Sequence, residues 1–483
     1  MPGKATRKAT GKAKRSAQSG ESWDPVNSTV LDELARDDKW YLGCGRALLW
    51  APLFPLHLDE PGFWDPVHFL DYAHGPVFTV TLLEDGHPLR LIPRGRRWTP
   101  AQLAVEYEVP GSGLRVREVR AVRPDDVMVC QLTVADLSGR PRALDAVLWT
   151  AQEHEDSGGV GNAGVRRVEA GRGWLAYVRR YVKHLRGKTF PPLDLAVAMG
   201  TAPRAEGLSA QLSERTANLP RWHLAPFAEQ LAEGGLDGQV NLGGVSPDGL
   251  VYMGLHTRLS VPGGGAATLV GAAAFGVDEA ATRRALEDAL ADPDPTATAR
   301  REWEDFFAGV PRFRCSDPYL ERYYWYRWYG LKLFSLDVGL FNYRHPAVCE
   351  GPAYFRVPIT YSAQCHMLET RWRHDPAWAR GSFLTFVEHQ TEEGSFPGHV
   401  YALGLHTEGF YHANWGRAVL AVDDVHPDPG FLQKAYRALS RYARYFDRYR
   451  DPEGSGLYDV VDQFETGQEY MSRYLFVDDR ADT

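Results

Sequence analysis

The chain has 483 residues, 44% of them hydrophobic and 24% charged, enough for two or three domains with substantial cores. A formal charge of −8 argues against nucleic acid as the main ligand, because neutralising phosphates needs a basic face. No apolar run reaches the roughly 18 residues of a membrane helix. The five cysteines (Cys44, Cys130, Cys315, Cys349, Cys365) show no CxxC spacing, which favours reduced thiols in a cytoplasmic setting over disulfides or zinc.

In chain order, residues 1–22 read as a disordered basic tail. Lys4, Arg7, Lys8, Lys12, Lys14 and Arg15 face no acid in the first 20 residues, so the remainder sits near −14 and suits a neutral substrate. Residues 23–276 read as an antiparallel β-sandwich. PVFTVTLLEDG, QLAVEYEVPGSGLRVREVRAV, DVMVCQLTVADLSGRPRALDAVLWTA and LVYMGLHTRLSVPGG are alternating or β-branched, and Gly-Ser and Pro-Gly turns separate them. VDEAATRRALEDALADPDP and TATARREWEDFFAGVP make 277–312 a helical linker. From 313 to 483 the period is helical, in DPYLERYYWYRWYGLKLFSLD, ITYSAQCHMLETRWR, DPAWARGSFLTFVEHQ, HANWGRAVLAVDDV and DPGFLQKAYRALSRYARYFDRYR, several opened by a capping Asp. The fold expected is thus multidomain β + α.

Aromatic side chains crowd this helical part. Most of those in YLERYYWYRWYGL are expected in the core, because their spacing covers every face of one helix. Tyr354, Phe355, Tyr361, Phe396, Tyr401, Tyr411 and Trp415 instead fall in loops or at helix starts. They are interleaved with His399, His406, His412 and Asn414. Loops on a rigid scaffold collect ligand-binding groups, and a sugar wants aromatic stacking partners.

The end of the chain, FETGQEYMSRY, sets Glu465 four residues before Glu469, with Arg473 four residues further on. Hydrolysis of a glycosidic bond needs a proton donor whose carboxyl is kept neutral by a dry or negatively charged setting. Phe464 and Tyr470 would dry Glu469, Glu465 would tune it, Arg473 would hold a carboxylate ionised, and Gln468 would donate to a sugar hydroxyl. An ordinary helix surface with i,i+4 pairs is the alternative reading of the same spacing.

FETGQEYMSRY resembles the ETGWDFSSRW and ESGMDNSPR signatures of trehalases, processing α-glucosidases and mannosylglycerate hydrolases. The resemblance implies an inverting enzyme with an (α/α)6-barrel catalytic domain, commonly behind an N-terminal β-sandwich. Glu465, Gly467, Ser472 and Arg473 fall on matching letters, and Glu469 on the aspartate that acts as general acid. AYFRVPITYSAQCH is similar to the trehalase-like GRFREVYYWDSYF, with Phe355 and Arg356 on its FR pair and Tyr361 in place of Trp. The family's sugar-binding Asp becomes Ser362, so Gln364, His366 or Glu369 is expected to replace it. TEEGSFPGHVY resembles the family's DGxIPN loop and brings His399 and Tyr401 to the same subsite. Together these matches span roughly residues 310–475.

The expected site therefore has Glu469 and Glu465 as catalytic residues. Arg356, Tyr361, Gln364, His366, Phe396, His399, Tyr401, Asn414, Trp415, Gln468 and Arg473 are its sugar contacts. No cofactor or metal is expected. DPEGSGLYDVVD does place Asp451, Glu453, Ser455, Gly456, Asp459 and Asp462 in an EF-hand-like register, leaving Ca2+ in the Asp451–Asp462 loop as a second reading beside a plain Gly-rich turn. Residues 313–483 hold five or six legible helices, whereas an (α/α)6 toroid has twelve. A C-terminally incomplete barrel is thus expected, with self-association through its open face and a general base beyond Thr483. Glu465 and Glu469 share one face of a helical turn, whereas an inverting pair stands roughly 6.5–9.5 Å apart around a water. Three functions are carried forward: inverting hydrolysis of an α-glycosidic bond in an oligosaccharide or small glycoside, phosphorolysis on the same architecture, and carbohydrate binding without catalysis.

Overall fold

The computed structural model describes residues 29–49, 60–65, 67–154, 163–185, 187–212, 224–243, 249–336, 339–407, 413–460 and 465. Up to Gly276 the described chain is β-rich, with two short helices, α1 (Val30–Glu33) and α2 (Ala228–Ala232). Eight strands form one sheet, in the order Gly164–Gly171, Trp174–Tyr181, Leu193–Ala202, Ala266–Gly276, Val127–Asp136, Leu114–Val122, Leu103–Val109 and Ile92–Trp98. A second sheet centres on Leu250–Val261, Arg142–Glu153 and Phe78–Glu84. A small four-stranded sheet joins Leu42–Gly43, Ala47–Leu49, Val67–Phe69 and Tyr72–His74.

Alternation explains the strands that face solvent on one side. In Leu103–Val109, Leu103, Val105, Tyr107 and Val109 are buried while Glu106 and Glu108 point outward and lean on neighbouring arginines. Arg142–Glu153 breaks the pattern because both its faces are covered. Leu144, Ala146 and Leu148 enter the core shared by the two large sheets. Val147, Trp149 and Ala151 enter a second apolar layer with Trp64, Phe227 and Tyr252. Helix α3 (Glu279–Ala291), capped by Asp278, lays Leu286 and Ala289 on Val127, Val129, Ala198, Ala272 and Ala274 of the eight-stranded sheet. Gly200 permits this approach, since a Cβ there would stand 2.7 Å from Leu290 Cδ1. Helix α4 (Ala297–Ala308) buries Trp303, Phe306 and Phe307 in the main core. The stretch 277–312 is thus a packed cover rather than a spacer.

The helical part follows with α5 (Pro318–Leu333), α6 (Thr360–Thr370), α7 (Ala377–Glu388), α8 (Trp415–Asp423) and α9 (Pro429–Tyr449). Asp317 and Asp428 accept the first free N–H groups of α5 and α9, each with proline at the first helical position. Helix α9 buries Phe431, Ala435, Ala438, Tyr442 and Phe446, a stripe at three- and four-residue spacing. In α5, Trp325, Trp328 and Tyr329 go inward, whereas Tyr319 and Tyr323 are exposed. Among the described residues no helix is long and apolar enough to cross a membrane.

Buried polar contacts fix the helical part onto the β-rich part. The Asp71 carboxylate accepts Tyr343 Oη and the Ala402 backbone N–H, both at 3.1 Å, and pairs with Lys183. The Lys183 ammonium lies 4.6 Å from the Tyr72 ring centre and 4.7 Å from that of Tyr401. Trp98 meets Tyr329 edge-on, with ring centres 5.2 Å apart.

Candidate active site

Helix α9 ends at Tyr449, and Arg450 turns back to hold Glu465. Arg450 Nη2 donates to Glu465 Oε1 at 2.7 Å and Nη1 to Oε2 at 3.1 Å, with side chains 6% and 1% exposed. Burial pulls the Arg450 guanidinium down, but its hydrogen bonds to Glu465 and Tyr445 more than offset this and leave it above its ordinary pKa. Both oxygens of Glu465 thus accept from Arg450. Nothing in the spacing signals this partner, fifteen residues upstream. Glu469, Gln468 and Arg473 lie outside the described residues.

Asp451 closes a turn directly after Arg450. Its Oδ1 accepts Ser455 N at 2.6 Å and Ser455 Oγ at 3.0 Å, and its Oδ2 accepts Gly456 N at 2.7 Å. The Gly456 N–H, then those of Ser455 and Gly454, hold the carboxyl below its ordinary range. A hydrogen-bonded turn thus occupies the start of the loop considered for calcium, and Asp462 lies outside the described residues. Among the described residues no group of three or more His, Cys, Asp or Glu could hold a metal ion.

The remaining expected sugar contacts divide by depth. Arg356 is fully buried and donates to Leu333 O at 3.0 Å and Gly45 O at 3.5 Å, tying the end of α5 to the β-rich part. It cannot meet a ligand from there. Phe396 and Trp415 are 0% and 1% exposed and pack with Phe383 and Tyr442, so they are core. His366 is buried on the inner face of α6, and burial pushes it down to about 4, keeping it neutral. Tyr401 is buried against Phe190 and Lys183. His399 faces His406 across the His399–Tyr401/Gly404–His406 hairpin, Nδ1 to Nδ1 at 2.9 Å, with the Tyr354 ring edge-on at 6.0 Å.

Three of the set face solvent or stand half-buried: Tyr361, Gln364 and Asn414. Gln364 Oε1 accepts the Asn414 N–H at 2.6 Å, which joins α6 to the start of α8. Glu369 is held by Arg327 through bonds of 2.6 and 2.5 Å, so its carboxylate is taken. Ser362 has a different carboxylate beside it: its Oγ donates to Glu350 Oε2. Sequence reading missed Glu350, because the contact exists only once the 350–357 loop folds back on itself.

Residues 359–482 match the family model described as "Mannosylglycerate hydrolase MGH1-like glycoside hydrolase domain". Among solved structures, a protein from the human microbiome named as a kojibiose phosphorylase is similar at a TM-score of 0.54 and 11% identity, over 88% of this chain and 58% of that one. A bacterial glucoamylase complexed with acarbose gives a TM-score of 0.44 and 9% identity, over 86% of this chain and 62% of that one. A family GH92 α-mannosidase from Bacteroides thetaiotaomicron, in complex with mannoimidazole, gives 0.39 and 11%, over 76% and 46%. The chain thus spans less than two thirds of each of these structures. No curated protein matches it. At such identities the likeness concerns the fold: the helical part is a glycoside hydrolase-like (α/α) fold behind a β-rich region.

Proposed function

We propose that the protein is a carbohydrate-active enzyme, an N-terminal β-sandwich followed by helices of the (α/α)6 type, which cleaves an α-glycosidic bond with inversion. Glu469 is the general acid that protonates the leaving oxygen. Arg473 keeps a neighbouring carboxylate ionised, and Gln468 donates to a sugar hydroxyl.

The observation that carries this reading is the buried Arg450–Glu465 clamp inside the segment that matches the glycosidase family model. Acid catalysis needs a carboxyl delivered within hydrogen-bond reach of one oxygen, and a misplacement near 1 Å costs about 100-fold. A signature lying past α9, the last helix among the described residues, gains that precision only if it is anchored. Two parallel charge-assisted bonds four residues before Glu469 supply an anchor of fixed direction.

Phosphorolysis is the second reading, favoured by the fold likeness to the protein named as a kojibiose phosphorylase. Inorganic phosphate would then replace water as nucleophile. The test incubates the protein with α-linked gluco- and manno-disaccharides, with and without phosphate, and separates the products. Hydrolysis gives free sugars regardless of phosphate, and phosphorolysis gives a sugar 1-phosphate. Glu469→Gln is expected to lower turnover by about 100-fold or more, because a sugar alkoxide leaves poorly unprotonated. Unchanged turnover in that variant refutes the assignment.

A further inference from the structure

We propose that the Glu350–Val357 loop and the first turn of α6 form a subsite for one neutral pyranose ring, with Glu350 gripping its hydroxyls. This rests on the carbohydrate-active reading and names the residue that selects the ring.

The loop is a built element. Glu350 N donates to Val357 O at 3.2 Å, Gly351 N to Phe355 O at 2.9 Å, and Arg356 N to Ala353 O at 3.1 Å. Ala353 takes φ +55°, a left-handed conformation that a non-glycine residue holds only when its surroundings impose it. Val357 and Ile359 are buried below, Thr360 N bonds Gly398 O at 3.1 Å, and the buried Arg356 guanidinium fastens the loop from underneath. So much anchoring serves to display what the loop carries outward. Tyr354 and Phe355 stand edge to face, ring centres 5.3 Å apart, and are 53% and 45% exposed; Tyr361, on the first turn of α6, is 55% exposed. Three exposed aromatic rings within eight residues offer flat apolar faces to the C–H face of a sugar.

Glu350 supplies the polar half. It is exposed, and among the described residues it has no cationic partner. Other carboxylates differ: Glu369 holds Arg327, Glu388 holds His345, Asp71 holds Lys183 and Glu465 holds Arg450. What Glu350 accepts instead is a hydroxyl, that of Ser362. A carboxylate on the same loop as exposed aromatic rings, with a hydroxyl as its partner, is the chemistry of a neutral polyol. An anion would be repelled. Two adjacent ring hydroxyls can use both oxygens once Ser362 gives way.

The test measures binding by titration calorimetry and saturation-transfer NMR, not turnover. The probes are methyl α-D-glucopyranoside, methyl α-D-mannopyranoside and methyl α-D-galactopyranoside at millimolar concentration. At least one is expected to bind. Glu350→Gln is expected to weaken it about tenfold, and Tyr354→Ala or Phe355→Ala to weaken it several-fold, each with an unaltered melting temperature. Ser362→Ala frees Glu350 from its internal partner and is expected to leave binding equal or tighter. Equal affinity in wild type and Glu350→Gln, or no binding of any of the three by the wild-type protein, overturns the subsite. Glu350-dependent binding without turnover of any disaccharide leaves the subsite standing and removes the catalytic reading. Turnover with Glu350-independent binding does the reverse.

Discussion

Replacing Arg450 with methionine leaves the Glu465 carboxylate buried with no counter-charge. The two side chains are 6% and 1% exposed, so water cannot take over from the lost guanidinium. Removing one partner of such a pair costs about 3–5 kcal/mol, most of it the penalty of the stranded charge. The loss is local, because the pair joins the end of α9 to a residue beyond the Asp451 turn. Opening of that segment therefore becomes easier by roughly two to four decades, at about 1.4 kcal/mol per decade. Limited proteolysis between 451 and 460 and amide exchange in the last turn of α9 read this directly, while global unfolding moves less. The double variant Arg450→Met/Glu465→Leu replaces the ion pair with apolar contacts and is expected to recover most of the protection. If Glu465 is an anchor, the double variant recovers part of the turnover lost in Arg450→Met. If Glu465 tunes the acid directly, protection returns and turnover does not. Unchanged protection in Arg450→Met refutes the clamp altogether.

Two further outcomes follow from burial. Alanine normally stabilises a helix interior relative to glycine by about 1 kcal/mol. At Gly381 in α7 a Cβ would lie 1.8 Å from Pro346 O, so Gly381→Ala is expected to destabilise by about 2 kcal/mol, read as a lower urea midpoint; a raised midpoint contradicts the packing. His68 and His366 are both drawn by burial from 6.5 to about 4. Below pH 6.5 the unfolded chain takes up protons that the folded chain refuses, so their stabilisation is complete above 6.5 and is lost as pH falls toward 4. The slope of unfolding free energy between pH 4.5 and 6 is expected to fall by about one proton, roughly 1.4 kcal/mol per pH unit, in His366→Gln; an unaltered slope shows that His366 is not buried neutral.

Where local chemistry decides the structure, the sequence was legible. Asp317-Pro318 and Asp428-Pro429 start α5 and α9 because a capping carboxylate and a preset φ act within one turn. The 3.6-residue stripe of α9 and the alternation of Leu103–Val109 announce their buried faces. Helix α5 was legible as a helix but not in orientation. With aromatics all round, only packing against Trp98 and α4 decides that Trp325, Trp328 and Tyr329 turn inward while Tyr319 and Tyr323 do not. The site was legible in its region and not in its contacts. Phe396 and Trp415 have the composition of a sugar platform and the position of a core, a distinction set by α7 and α9 rather than by their own neighbours in sequence.

The buried charges give the reason. Arg356, Asp71 and Arg450 with Glu465 are polar groups in the helical part or at its boundary, where a sequence reader looks for substrate contacts. Each instead joins elements that are far apart in the chain: Arg356 to Gly45, Asp71 to Ala402, and Glu465 to the end of α9. Buried charge is costly unless it is paired: Asp71 has Lys183 and Glu465 has Arg450, whereas Arg356 is held by backbone carbonyls alone and its Nε has no hydrogen-bond partner. Charge that is free to meet a ligand has to be found among exposed groups with incomplete partners. On the surface that carries Tyr354, Phe355 and Tyr361, this criterion points past Arg356, which the motif suggested, to Glu350, which no motif contains.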